Sequence, residues 1–167
     1  TARVLGRYVQ GLVVRTFGQD AVEELAHYAG IPVINALTDL YHPCQVLSDM
    51  MTVIEEKGPI KDLKISWIGD GNNMANTWIE AASLLGFQLS LACPDGFSPN
   101  HDILEKAQRR APGLIELVRD PMVAIAGADV VNVDVWASMG QEAEQEKRIA
   151  LFQDYHLDSR LLQRANA

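Results

Sequence analysis

Residues 63–92 alternate between two hydrophobic rhythms. Ile65-Ser66-Trp67-Ile68 is a short apolar run that ends at Gly69, which predicts a buried strand. Between Asn73 and Leu85 the apolar residues Met74, Trp78, Ile79, Ala82 and Leu85 recur at helical spacing, and Gly86 suits a left-handed stop. Residues 87–91 return to an apolar run. Strand, tight loop, helix, strand is a βαβ unit, which implies a parallel sheet. Ligands of such units sit at the carboxyl ends of the strands, so Gly69-Asp70-Gly71-Asn72-Asn73 is the first place to look.

The same rhythms extend in both directions. Residues 1–8 read as the tail of a helix with Val4 and Leu5 inward, and residues 11–16 as a strand that delivers Arg15 near its carboxyl end. Asp20 is a suitable N-cap for a helix over 21–29, which Gly30 ends, and residues 31–35 form a second strand. That completes a first βαβ unit. A loop over 36–41 leads to His42-Pro43, where proline in the first turn opens a long helix. Its apolar stripe is Val46, Leu47, Met50, Val53 and Ile54, and Gly58-Pro59 closes it. Beyond the central unit, the pattern predicts a helix over 101–110, a strand over 114–118, a short helix over 121–126 and a strand over 128–135. A loop over 137–141 and a helix over 142–155 follow. The fold class is α/β, with open parallel sheets flanked by helices.

Composition narrows the classes. At 167 residues the chain buries a real core as one domain or two small ones. A net charge of −8 argues against nucleic acid as a partner but leaves room for a local cationic pocket. Two cysteines, Cys44 and Cys93, are too few for a disulfide framework and fit a reducing, cytoplasmic compartment. There is neither an apolar run of transmembrane length nor a visible signal peptide, so no membrane partner is expected. The chain begins at Thr1 rather than Met, which points to processing or truncation.

Four places carry candidate chemistry. Gly69-Asp70-Gly71 invites a dinucleotide reading, but Met74 occupies the position of the third glycine, which weakens a nicotinamide cofactor. The turn is equally a tight strand-to-helix connection capped by Asn72 or Asn73. A third reading turns the asparagine amides to a cleft, where a donor-acceptor group suits a zwitterionic amino acid. His42-Pro43-Cys44-Gln45 opens a helix, whose free amides and dipole favour an anion or a polarised carbonyl oxygen. His42 is placed to donate to such an oxygen, with Gln45 one turn on; the plainer alternative is an N-cap histidine. Cys44 lacks the partners of a thiol nucleophile, and His42 with Cys44 lacks the further ligands of a zinc site. Arg15 is shaped for a phosphate or carbonyl, or else forms a surface salt bridge. Asp134 ends an apolar strand, where it holds an ammonium group or caps a turn, and Ser138-Met139-Gly140 is a loop able to fold over a ligand. His27, His101, His156 and the charge run over 142–147 read as solvated.

In this order these residues resemble the aspartate/ornithine carbamoyltransferase family over essentially the whole chain. The carriers are Thr1-Ala2-Arg3-Val4-Leu5, the strand with Arg15, His42-Pro43-Cys44-Gln45, Gly69-Asp70-Gly71-Asn72-Asn73-Met74, and Asp134-Val135-Trp136-Ala137-Ser138-Met139-Gly140. His-Pro-x-Gln marks carbamoyltransferases broadly, and Asp-x-x-x-Ser-Met-Gly marks the ornithine branch. The resemblance implies that Arg15, His42 and Gln45 contact carbamoyl phosphate, with Arg15 and His42 polarising its carbamoyl oxygen. Asn73, Asp134, Ser138 and Met139 would contact L-ornithine. It further implies carbamoyl transfer to the side-chain amine, giving L-citrulline and phosphate, without metal or organic cofactor, in a cytoplasmic homotrimer of arginine biosynthesis or catabolism.

The implied division is 1–42 for the C-terminal part of a carbamoyl-phosphate domain, 43–58 for a connecting helix and 59–167 for a Rossmann-like ornithine-binding domain. The family's Ser-x-Arg-Thr-Arg motif is expected before Thr1 and its His-Cys-Leu-Pro motif after Ala167. The 167 residues therefore read as the central part of the enzyme, not expected to turn over alone. Two other readings compete: a non-catalytic amino-acid-binding module, and a carbamoyltransferase for a modified ornithine or putrescine. Asp134 and the Ser138-Met139-Gly140 loop, which serve a free amino acid end, speak against the latter.

Overall fold

Every strand pairs in parallel, as the alternation of periods requires. The computed structural model describes residues 1–135 and 145–166. The predicted loop that contains Ser138 and Met139, and the start of the helix predicted from 142, lie outside the described residues.

A first unit holds α1 (Ala2–Leu5), β1 (Leu12–Arg15), α2 (Gln19–Ala29) and β2 (Val33–Leu37), with β1 and β2 forming a two-stranded parallel sheet. The long α3 (Pro43–Lys57) follows. The second unit contains β3 (Lys64–Ile68), α4 (Asn73–Leu85), β4 (Gln88–Ala92), α5 (His101–Arg110), β5 (Ile115–Val118), α6 (Pro121–Ile125) and β6 (Val130–Val133). Its sheet is four-stranded in the order β5-β4-β3-β6. The short helices α7 (Gln145–Leu151) and α8 (Ser159–Leu162) complete the described chain.

The central strands are apolar on both faces because helices cover both. Ile65, Trp67, Leu89 and Leu91 point one way and pack with Trp78, Ile79 and Ala82 of α4 and with Phe87. Ile68 and Ala92 point the other way, onto Ala124, Ile125 and Leu161. Full burial of side chains such as Trp67, Trp78 and Phe87 contributes roughly 1.5–3 kcal/mol each, which makes this unit the stability centre. Local chemistry sets the helix ends. The Asn72 side chain accepts from the Met74 and Ala75 amides, Asn100 from those of Asp102 and Ile103, and Asp120 from that of Met122. Gly86 ends α4 in the left-handed conformation, with φ of 79°. Among the described residues no helix is long and apolar enough to cross a membrane.

Several local expectations give way to tertiary packing. Val4 is exposed, because only Leu5 of that pair is partly covered where α1 meets α2. Asp20 is not the N-cap of α2: the helix starts at Gln19 after Gly18, whose missing side chain admits the returning Asp20 carboxylate. Strand β2 runs on to Leu37 because β1 continues to pair with it, Arg15 lying opposite Leu37. In α3 the buried stripe narrows to Val46, Met50 and Val53, while Leu47 and Ile54 stay exposed, since α3 contacts α4 and β2 along one edge. The C-terminal helix stops at Leu151, where Phe152 turns into the core against Phe97.

Candidate active site

From β3 the second sheet grows one way through β4 to β5, then returns to the far side of β3 as β6. The connections leaving β3 and β6 therefore part to opposite faces, and a crevice opens at their carboxyl ends. The turn over residues 69–73 and Asp134 lie at that crevice, brought together by strand order alone.

Hydrogen bonds fix the turn. Asn72 accepts from the α4 amides through Oδ1 and donates from Nδ2 to Asp134 Oδ2 at 2.7 Å. Asn73 donates from Nδ2 to the Thr38 carbonyl at 2.7 Å, which ties the second unit to the loop after β2. Asp70 pairs with Arg148 of α7, Oδ2 to Nη1 at 2.6 Å, both side chains being buried. It is held by the protein, in a turn that lacks the third glycine of a dinucleotide site. Gly71 leaves no space: a methyl carbon there would lie 2.1 Å from the Pro99 nitrogen and 2.2 Å from the Ser98 carbonyl carbon.

The first unit supplies the opposite wall. Arg15 ends β1, and His42 is the N-cap residue of α3 with Pro43 behind it. Arg15, His42, Asn72, Asn73 and Asp134 line one cleft of about 270 Å³. Arg15 and His42 form a donor-rich pole, whereas the asparagines and Asp134 offer amides and a carboxylate. Burial lowers the His42 pKa, the nearby Arg15 guanidinium lowers it further, and Asp49 and Asp134 oppose the shift. The ring is therefore neutral at pH 7 and donates one N–H, the form that polarises a carbonyl oxygen without transferring charge. Its Nδ1 is buried and has no hydrogen-bond partner among the described residues.

Not every candidate converges. Gln45 is exposed, and its Nε2 donates to Asp49 Oδ1 at 2.8 Å, away from the cleft. Cys44 is exposed and its thiol donates to the Asn35 carbonyl at 3.5 Å. Ser138 and Met139 lie outside the described residues. Conversely, Phe17, Leu37, Thr38 and Asp39 also line the cleft, though no motif named them. Their one signal was position, at or just after the carboxyl ends of two parallel strands.

Two family models account for most of the chain. The model for the Asp/Orn binding domain of aspartate/ornithine carbamoyltransferases matches residues 61–167, and that for their carbamoyl-P binding domain matches residues 1–55. The chain belongs to the aspartate/ornithine carbamoyltransferase family. Among relatives, it is 62% identical over 164 residues to the ornithine carbamoyltransferase of Desulfotalea psychrophila, which covers 98% of this chain and 54% of that protein. It is 58% identical over 162 residues to that of Geobacter sulfurreducens, at 97% and 54% coverage. The structure superimposes on the ornithine carbamoyltransferase of Pyrococcus furiosus with a TM-score of 0.92 at 44% identity, covering 99% of this chain and 54% of that one. The Gloeobacter violaceus enzyme gives 0.89 at 43% identity, with 99% and 56% coverage. The chain thus spans about half the length of these relatives. Within this family's two-domain organisation, the cleft lies where the segments matched by the two models meet.

Proposed function

We propose that this chain forms the reaction cleft of an ornithine carbamoyltransferase, which transfers the carbamoyl group of carbamoyl phosphate to the side-chain amine of L-ornithine. The observation that carries the reading is the two-pole cleft: Arg15 and His42 share one cavity of about 270 Å³ with Asn73 and Asp134. Residues 1–42 belong to the carbamoyl-phosphate half, 43–58 connect, and 59–167 belong to the ornithine half. Relatives named as ornithine carbamoyltransferases support the substrate pair.

The chemistry follows from the poles. Arg15 and neutral His42 donate to the carbamoyl oxygen, and Gln45 joins them once its side chain leaves Asp49. Asn73 and Asp134, with Ser138 and Met139, hold the α-amino and α-carboxylate ends of ornithine, which aims the neutral amine at the carbamoyl carbon. A C–N bond forms, charge collects on the carbamoyl oxygen, and the donors stabilise it. The C–O bond to phosphate then breaks, the amine proton passes to the departing phosphate, and citrulline and hydrogen phosphate leave. Juxtaposing two bound reactants supplies much of the acceleration. The reading needs no cofactor, and it places the enzyme in the cytoplasm, as a homotrimer, in arginine metabolism.

The test is citrulline formation from carbamoyl phosphate and L-ornithine by the protein expressed from its complete natural reading frame, with L-aspartate and putrescine as control acceptors. Citrulline formation with ornithine preferred is expected. Ornithine binding without citrulline would establish a non-catalytic binding module instead.

A further inference from the structure

Helix α4 is a core helix, yet three polar residues occupy one of its faces at spacing i, i+3, i+4: Asn73, Asn76 and Thr77. Asn76 is 4% exposed and Thr77 7%. Each bonds to the connection between β2 and α3. Asn73 donates to the Thr38 carbonyl at 2.7 Å and Asn76 to the Leu40 carbonyl at 3.2 Å, while Thr77 Oγ1 accepts from the His42 amide at 2.8 Å. Buried polar side chains persist where such bonds satisfy them.

Thr77 differs from the other two. Its hydroxyl also donates to the Asn73 carbonyl at 2.6 Å. A bond to the carbonyl four residues back is ordinary for a helical threonine. A second bond, to an amide 35 positions away in the chain, is not local. One hydroxyl thus stands between the backbone of His42, at the donor pole, and that of Asn73, at the amide pole. His42 has no side-chain cap of its own in α3, and its Nδ1 is buried without a partner among the described residues, so the ring's place follows its backbone, which is held by the Thr77 bond at the amide and by the Val46 amide donating to its carbonyl at 3.3 Å.

We propose that Thr77 is a positioning residue that sets the distance between the carbamoyl-polarising pole and the amino-acid pole. The inference rests on the carbamoyl-transfer reading. Each substrate is held by its own pole, so loss of the hydroxyl leaves the two binding steps nearly intact and misaligns the reacting atoms. A misplacement of that kind is worth up to about 100-fold in rate.

The experiment compares wild type with Thr77→Val, which keeps shape without the hydroxyl, and Thr77→Ser, which keeps the hydroxyl, all in the complete natural protein. For Thr77→Val we expect kcat to fall roughly 10- to 100-fold with both KM values within about threefold, and Thr77→Ser to stay within about threefold of wild type. Equal kinetics for the Val and Ser variants, or losses that merely follow the folded fraction, overturn the proposal. If Thr77→Val does not fold, Thr77→Ala is judged by the same criteria. A substrate-free readout runs beside these: amide hydrogen exchange at His42 is expected to be slowed at least ~100-fold in wild type and freed in the variant lacking the hydroxyl. An unprotected His42 amide in wild type overturns the proposal without any assay of activity. A protected amide in a wild type that makes no citrulline instead refutes the carbamoyl-transfer reading, and the positioning role with it.

Discussion

Replacing Gly71 by alanine separates steric from conformational reasons for a glycine. The φ of Gly71 is not positive, so alanine suffers no intrinsic backbone penalty there. The obstacle is the neighbouring chain: the added carbon would lie 2.1 Å from the Pro99 nitrogen, 2.2 Å from the Ser98 carbonyl carbon and 2.7 Å from the Phe97 oxygen. All three are backbone atoms, which no rotamer change moves aside. Restoring ordinary contact, which begins near 3.4 Å, requires the 97–99 backbone to retreat by more than an ångström. That movement breaks the 2.8 Å bond from the Gly71 amide to the Phe97 carbonyl and disturbs Phe97, which packs against Phe152 and Arg148.

Overpacking of this kind costs about 3 kcal/mol. At roughly 2–4 °C per kcal/mol for a chain of this size, the midpoint should fall by roughly 6–12 °C. Gly86→Ala is the matched control: nothing lies within 4 Å of an added carbon, but φ is +79°. It should cost about 1 kcal/mol, the left-handed penalty alone. Urea unfolding and thermal melts of the two variants decide the matter. Because the turn also positions Asn72 and Asn73, Gly71→Ala should weaken the ornithine binding proposed above while Gly86→Ala leaves it alone. A Gly71→Ala protein as stable as Gly86→Ala would refute the argument from close approach.

Three further outcomes follow from buried or shifted groups. Arg148→Met leaves Asp70 as a buried charge without its 2.6 Å partner and should lower unfolding free energy by about 3–5 kcal/mol, while Asp70→Asn with Arg148→Met together should recover part of that loss. In a double-mutant cycle by denaturant titration, simple additivity would count against a coupled pair. Titration with a thiol reagent should find one reactive cysteine in the native protein, the exposed Cys44, and two after unfolding. Burial pushes the Cys93 thiol up to about 12, so rapid native labelling of Cys93 would contradict its placement. His42 should titrate by NMR with a midpoint below its ordinary 6.5. Since the folded state favours the neutral ring, His42 leaves stability unaffected above 6.5 and lowers it as pH falls from 6.5 toward the folded value. A midpoint at or above 6.5 would mean that the ring is solvated.

Much of the fold was legible because its signals are local. Apolar runs, helical spacing and the glycine after Leu85 act within a turn or two of chain, and the resulting strands and helices lie within a few residues of where the pattern puts them. Arg15, His42, Asn73 and Asp134 stood out for the same reason, each a polar residue at the end of an apolar element. The misreadings are all questions of which neighbour arrives. Asp20 is a good cap by type, but Gly18 takes the cap position two residues earlier. Leu47 and Val46 look alike in sequence, yet only Val46 meets the core, because α3 presents one narrow edge to it.

Apolar periodicity and side-chain type set the parallel α/β class, the chain order of the elements and the chemical character of the two poles. These depend on the period of apolar residues and on side-chain type, which are properties of the chain read a few residues at a time. Long-range packing instead set the return of β6 beside β3, which brings Asp134 to Asn72 across 62 positions. The folded chain also decided that Gln45 rests on Asp49, that Asp70 pairs with Arg148, and that the Thr77 hydroxyl joins His42 to Asn73. Except for the Gln45–Asp49 pair and the Thr77–Asn73 bond within α4, these contacts join parts of the chain that no local pattern links. They exist because packing α4 against the connection between β2 and α3, and β6 beside β3, takes these polar groups out of water, and a buried polar group persists where a partner is brought to it.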